Sequence, residues 1–245
     1  MHLVTGSQRH DLTRRVVIIG AVPTAGRLGG SPRPSVGSAV SVFGHGADVI
    51  ELDTVMDPDV ERWSQYCAAV VAAAGHQPVA ARVATARDAH TALDAGVCMV
   101  SGGGVDDDEV LHRCADERIT VVLGAPDGLP MLTSRVRQAE RLGVNHDRLA
   151  IDVATLGGPM VAGETLESGS LAVAVTTVDR GEATPEVIGA AAAAHLRGAR
   201  VVRTRWPQST RRVIGVLETV EAHRCRCQRE STGPQWCSSP VTTRA

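Results

Sequence analysis

The sequence predicts an α/β protein, a (β/α)8 TIM barrel in a single domain with disordered N- and C-terminal tails. Three observations carry this. Short β-branched or apolar runs alternate with helix-spaced segments to give eight candidate strands. The length of 245 residues is close to the roughly 250 typical of such a barrel. Aromatics make up only 2% of the chain, so the core must be built from Val, Leu, Ile and Ala, as expected where short parallel strands are covered by helices. The domain map that follows is a flexible segment at 1–14, the barrel at 15–223 and a disordered tail at 224–245.

Taken in order, the strand-like runs are 16–19, 47–52, 78–83, 97–101, 119–123, 149–153, 171–175 and 200–204. Helical spacing marks 57–74, 85–95, 106–115, 131–142 and 184–196 between them. Asp57 before Pro58 reads as an N-cap followed by proline at the first helical position. Gly75, Gly96, Gly143 and Gly198 sit where helices need a terminator with positive φ. Residues up to about 11 are polar and lack periodicity, and the chain from about 224 is rich in Ser, Thr, Arg and Pro, so neither end is expected to pack.

Composition narrows the function. A formal charge of −2 lacks the basic excess of a nucleic-acid binder. The chain has no lysine, so its basic side chains are arginine and histidine. Cys67, Cys98, Cys114, Cys225, Cys227 and Cys237 are too scattered for a small-domain disulfide framework and fit reduced thiols. Cys225, Cys227 and Cys237 with His223 match no standard zinc spacing. The first apolar run follows Arg14 and Arg15 and ends at Gly20, too short for a leader or a membrane span, so a cytoplasmic protein with no membrane partner is expected.

Arg203 and Arg205 lie two apart at the end of the last predicted strand, so both should point into the barrel mouth, where such folds do their chemistry. They read either as lining charges neutralised by Glu51, Asp53 or Asp152, or as an anion site. Gly102-Gly103-Gly104 reads as a flexible loop or a phosphate cradle. The acidic run 106–109 reads as helix capping or a hard-cation site.

Five segments recur in a recognisable order. They are Ile19-Gly20-Ala21-Val22-Pro23-Thr24, Gly46-Ala47-Asp48-Val49-Ile50-Glu51, Val97-Cys98-Met99-Val100-Ser101-Gly102, Asp152-Val153-Ala154, and Gly198 through Arg203-Thr204-Arg205-Trp206. By these segments the chain from about 16 to 221 resembles the dihydropteroate synthase, or pterin-binding barrel, family. The resemblance implies a pterin held by an Asp after strand three, an Asn on strand four, an Asp ending strand six, a Lys after strand seven and an Arg ending strand eight. Arg82 and Cys98 stand at the first two positions, no lysine exists for the fourth, and Asp152 and Arg203 keep the family's residue types. The magnesium that the family implies loses its strand-one Asn to Pro23, and the His near the pyrophosphate is Arg205.

The resemblance therefore implies a degenerate homologue, expected to lack synthase activity and to need no cofactor. Such a homologue would bind a small anionic ligand or a partner synthase, with Asp152, Arg203, Arg205, Glu51 and Ser101 as the candidate ligand-binding residues. The alternative is an active synthase of folate biosynthesis, a transferase condensing a dihydropterin pyrophosphate with p-aminobenzoate. A third reading is new chemistry on a phosphorylated substrate at the same mouth. The family also implies a homodimer through outer helices near the last strands. Arg82 is expected within hydrogen-bonding reach of Asp152 or Glu51, filling the pterin's place.

Overall fold

The computed structural model describes residues 2–12, 15–22, 35–53, 59–124, 129–152, 172–176 and 184–232. Two strands come first, β1 (His2–Thr5) and β2 (Gln8–Asp11). The alternation then runs β3 (Val17–Ala21), α1 (Val36–Gly44), β4 (Val49–Asp53), α2 (Val60–Ala74), β5 (Val79–Arg82), α3 (Ala86–Asp94), β6 (Met99–Ser101), α4 (Asp108–Asp116), β7 (Thr120–Gly124) and α5 (Leu129–Arg141). It ends with β8 (Leu149–Asp152), β9 (Ala172–Thr176), α6 (Pro185–Leu196), β10 (Val201–Thr204) and α7 (Pro207–Thr232). Strands β3 to β10 are parallel and bond in the ring order β10-β3-β4-β5-β6-β7-β8-β9, with β10 pairing both β9 and β3. The connection from β8 to β9 lies outside the described residues, as do 23–34 and 54–58.

Strand alternation sorts the side chains into two cores. Val17, Ile19, Val49, Ala80, Met99, Val122, Ala150 and Val201 form the inner one, a mix of small and large side chains that fills a narrow lumen. Ile50, Leu52, Ala81, Val100, Val121, Leu123, Leu149 and Ile151 face outwards and pack against helix residues such as Trp63, Cys67, Leu93, Leu111, Cys114 and Ala139. Helix starts are capped by Ser35, Asp59, Thr85, Asp107 and Thr184, each accepting from a backbone N–H one turn in. Asp59, not Asp57, caps α2; Asp57 and Pro58 fall outside the described residues. Gly75, Gly96, Gly143 and Gly198 all have positive φ, as the helix endings require.

Both chain ends depart from the sequence reading. The first residues, expected to be flexible, form a β1–β2 hairpin whose loop begins at Gly6 with φ 59°. Leu3 and Leu12 are fully buried in the inner core, and Thr120 Oγ1 donates to the Val4 carbonyl, so the hairpin stops the N-terminal end of the ring. Its polar exterior hid this, because only Leu3, Thr5 and Leu12 are buried. The tail expected to be disordered from 224 continues as helix α7 to Thr232; residues beyond lie outside the described part.

The last helix also clasps the first two strands of the ring. Asp48 accepts from the Ile18 N–H at 2.8 Å and from the guanidiniums of Arg15 and Arg211. Arg211 Nη1 donates to the Val16 carbonyl at 2.9 Å, and the Val16 N–H donates to Glu218 Oε1 at 3.2 Å. No helix among the described residues is long and apolar enough to cross a membrane.

Candidate functional site

The C-terminal ends of the strands carry the polar residues. Glu51 and Asp53 follow Val49 at lumen-facing spacing, Arg82 follows Ala80, Ser101 follows Met99, Asp152 follows Ala150 and Arg203 follows Val201. The deepest layer is a bonded set. Ser101 Oγ donates to Glu51 Oε1 at 2.8 Å, and Arg203 Nε donates to Glu51 Oε2. Glu51 is 2% and Arg203 7% exposed, so the pair is desolvated and tolerable only because each charge meets the other. Burial is the strongest single influence on Arg203 and lowers its pKa. Glu51 by charge and hydrogen bond, with the charges of Asp152 and Asp53, more than reverses it and leaves the pKa above the ordinary value.

This places most of the sequence candidates together. Glu51, Ser101 and Arg203 are joined directly, and Asp152, half-buried at the end of β8, acts on Arg203 through its charge. Arg205 stands just past β10 and just before α7, half-buried. Of the three acids expected to neutralise Arg203, Glu51 bonds it directly and Asp152 and Asp53 act on it through their charges.

Three expectations are corrected. Arg82, expected to fill the lumen in the pterin's place, is exposed at the end of β5. Cys98 does not face the mouth. It precedes β6 at the opposite end, under Gly6 of the hairpin, with its thiol donating to the Val79 carbonyl at 3.4 Å and burial pushing its pKa up to about 11. The triple glycine is neither a free loop nor a cradle. A Cβ on Gly102 would meet the Val83 carbonyl oxygen at 2.3 Å, and one on Gly104 the Thr85 carbonyl oxygen at 2.2 Å, so the glycines let two backbones touch. In the acidic run, Asp107 caps α4 and Asp106 pairs with Arg135 at 3.0 Å. Pro23 lies outside the described residues.

Arg135, unmarked in the sequence, pins the mouth end of β7 by donating to the Gly124 carbonyl at 2.8 Å. Only its position on the inner face of an arginine-rich helix could have drawn attention to it. No group of three or more His, Cys, Asp or Glu among the described residues is placed to hold a metal ion, and both Glu51 oxygens already accept from Ser101 and Arg203.

No protein-family model matches the chain, and no curated protein matches it in sequence. Solved structures do. A Coxiella burnetii dihydropteroate synthase in complex with pteroic acid superimposes with a TM-score of 0.72 at 17% identity, covering 90% of this chain and 99% of that one. The Thermus thermophilus dihydropteroate synthase gives 0.73 at 18% identity, covering 90% and 99%. A Xanthomonas albilineans dihydropteroate synthase bound to indole-2-carboxylic acid and 6-chloroguanine gives 0.71 at 22%, covering 90% and 98%. The chain thus has the dihydropteroate synthase fold over nearly the whole length of these enzymes.

Proposed function

We propose that this dihydropteroate synthase fold, completed as a full (β/α)8 barrel, serves a protein that does not carry out the synthase condensation and binds a small anion at the mouth beside Arg205. The observation that carries the reading is the Glu51–Arg203–Ser101 set. The arginine that the family uses for its ligand is buried and already bonded to a carboxylate of its own chain. A chain without lysine also lacks the pterin contact after strand seven. Each unmet buried partner would cost a pterin about 1–3 kcal/mol, so two or three such losses would weaken binding by orders of magnitude. The anion reading rests on Arg205 standing at the start of α7, where backbone N–H groups and the helix dipole favour negative charge.

The test mixes the purified chain with 6-hydroxymethyl-dihydropterin pyrophosphate and p-aminobenzoate. No dihydropteroate is expected; turnover above background that disappears in Asp152→Ala would overturn the reading. Pyrophosphate should raise the melting temperature of the wild type but not of Arg205→Ala. The same reading includes a homodimer through the packed helices α6 and α7, where Leu196, Val216 and Val220 are 59%, 63% and 49% exposed. Sedimentation equilibrium should give a dimer, and Val216→Glu with Val220→Glu a monomer.

A further inference from the structure

Glu51 is held in an unusual place for a structural ion pair. Its neighbours in register are Ala21 on β3 and Ala80 on β5, neither of which can bond it. Its donors stand one strand further away on either side, Arg203 on β10 beyond β3 and Ser101 on β6 beyond β5. The carboxylate is therefore received from two directions within the lumen, above an apolar floor that includes Ile19, Ala80 and Met99. A guanidinium on one oxygen and a hydroxyl on the other is how a protein recognises a free carboxylate. Here the occupant is covalently attached.

We propose that Arg203 and Ser101 form a carboxylate-binding cradle in which Glu51 is a built-in ligand, and that removing the Glu51 side chain opens the cradle to a small free carboxylate. The charges of Asp53 and Asp152 act on the same guanidinium, so the cradle favours a small monoanion over a dianion such as phosphate. Glu51 is thus an autoinhibitory contact: an anion that takes the Nε donor of Arg203 must first displace it. The proposal rests on the reading of the mouth given above. Synthase turnover by the wild type would overturn that reading without touching the cradle, which is tested separately.

The experiment compares the wild type with Glu51→Ala and with Glu51→Ala/Arg203→Met in sodium formate and in sodium chloride at equal ionic strength and pH. Glu51→Ala should melt below the wild type in chloride and recover in formate, with a saturable rise of about 2–4 °C for each kcal/mol of binding. The wild type and the double variant should show no formate-specific rise, and phosphate should do less than formate for Glu51→Ala. If Glu51→Ala does not fold in chloride, refolding yield takes the place of melting: recovery in formate supports the cradle, and failure in both salts overturns it. A folded Glu51→Ala that ignores formate, or a wild type or double variant that responds equally, also overturns it.

Discussion

Arg203 and Glu51 are each other's bonded counter-charge in the lumen, and that dependence sets what single substitutions should do. Arg203→Met leaves a carboxylate 2% exposed without its counter-charge and should cost about 3–5 kcal/mol in urea unfolding. Ser101→Ala removes one hydrogen bond to the same carboxylate and should cost about 1–3 kcal/mol. Glu51→Leu with Arg203→Met removes both charges and should cost less than the sum of the singles. If the double variant is no better than additive, the pair is not the coupled unit described. Some of this was legible beforehand. Period-two spacing put Arg203 and Glu51 on the lumen side, and Glu51 was among the expected partners. The Ser101 bond was not legible, because it crosses two strand positions of the ring and depends on register, which no local pattern records.

At the scale of elements, the alternation of runs and the glycine-terminated helices could be read directly, since each repeats a local rule. The hairpin could not. Four-residue strands with polar exteriors give no periodic signal, and the partners that bury Leu3 and Leu12 are contributed by strands as far along as Val201. Its structural role predicts a measurable result. Leu12→Ala should lower stability by about 2–5 kcal/mol, as for other large-to-small core changes. A chain lacking residues 2–12 should bind a hydrophobic dye such as ANS, because Val17, Val49 and Met99 lose the cover that excludes water from the N-terminal end of the ring. Unchanged stability in Leu12→Ala would mean that the hairpin only rests on the ring.

For the whole molecule, two histidines link stability to pH. His10, which shares a 2.6 Å hydrogen bond with Thr5 in the hairpin, is held below the ordinary 6.5 chiefly by burial, with Arg15 adding to the effect and Asp48 opposing it. His195 on α6 is lowered chiefly by burial, then by Arg200, against Glu221 and Glu218. Because the folded pKa values lie below the unfolded one, the unfolded chain takes up these protons first as pH falls. The contribution is therefore fully present above about pH 6.5 and is lost progressively below it. The melting temperature should drop between neutral pH and about pH 5, and His10→Gln with His195→Gln should flatten that part of the profile. A profile unchanged by the two substitutions would assign the acid sensitivity to other groups.

The clasp between the last helix and the first strand bears on how the protein is made. Arg211 reaches back 195 residues to the Val16 carbonyl and Glu218 reaches back 202 to its N–H. A ribosome therefore releases the first strand long before it has synthesised the groups that hold it. Until then Ile19 and Gly20 have one strand neighbour instead of two, and the nascent chain carries an open sheet edge of the kind that recruits foreign strands. In a translation-arrest assay, the pulling force of ring closure should appear only once residue 218 has cleared the exit tunnel. Arg211→Ala should reduce that force without moving any earlier signal.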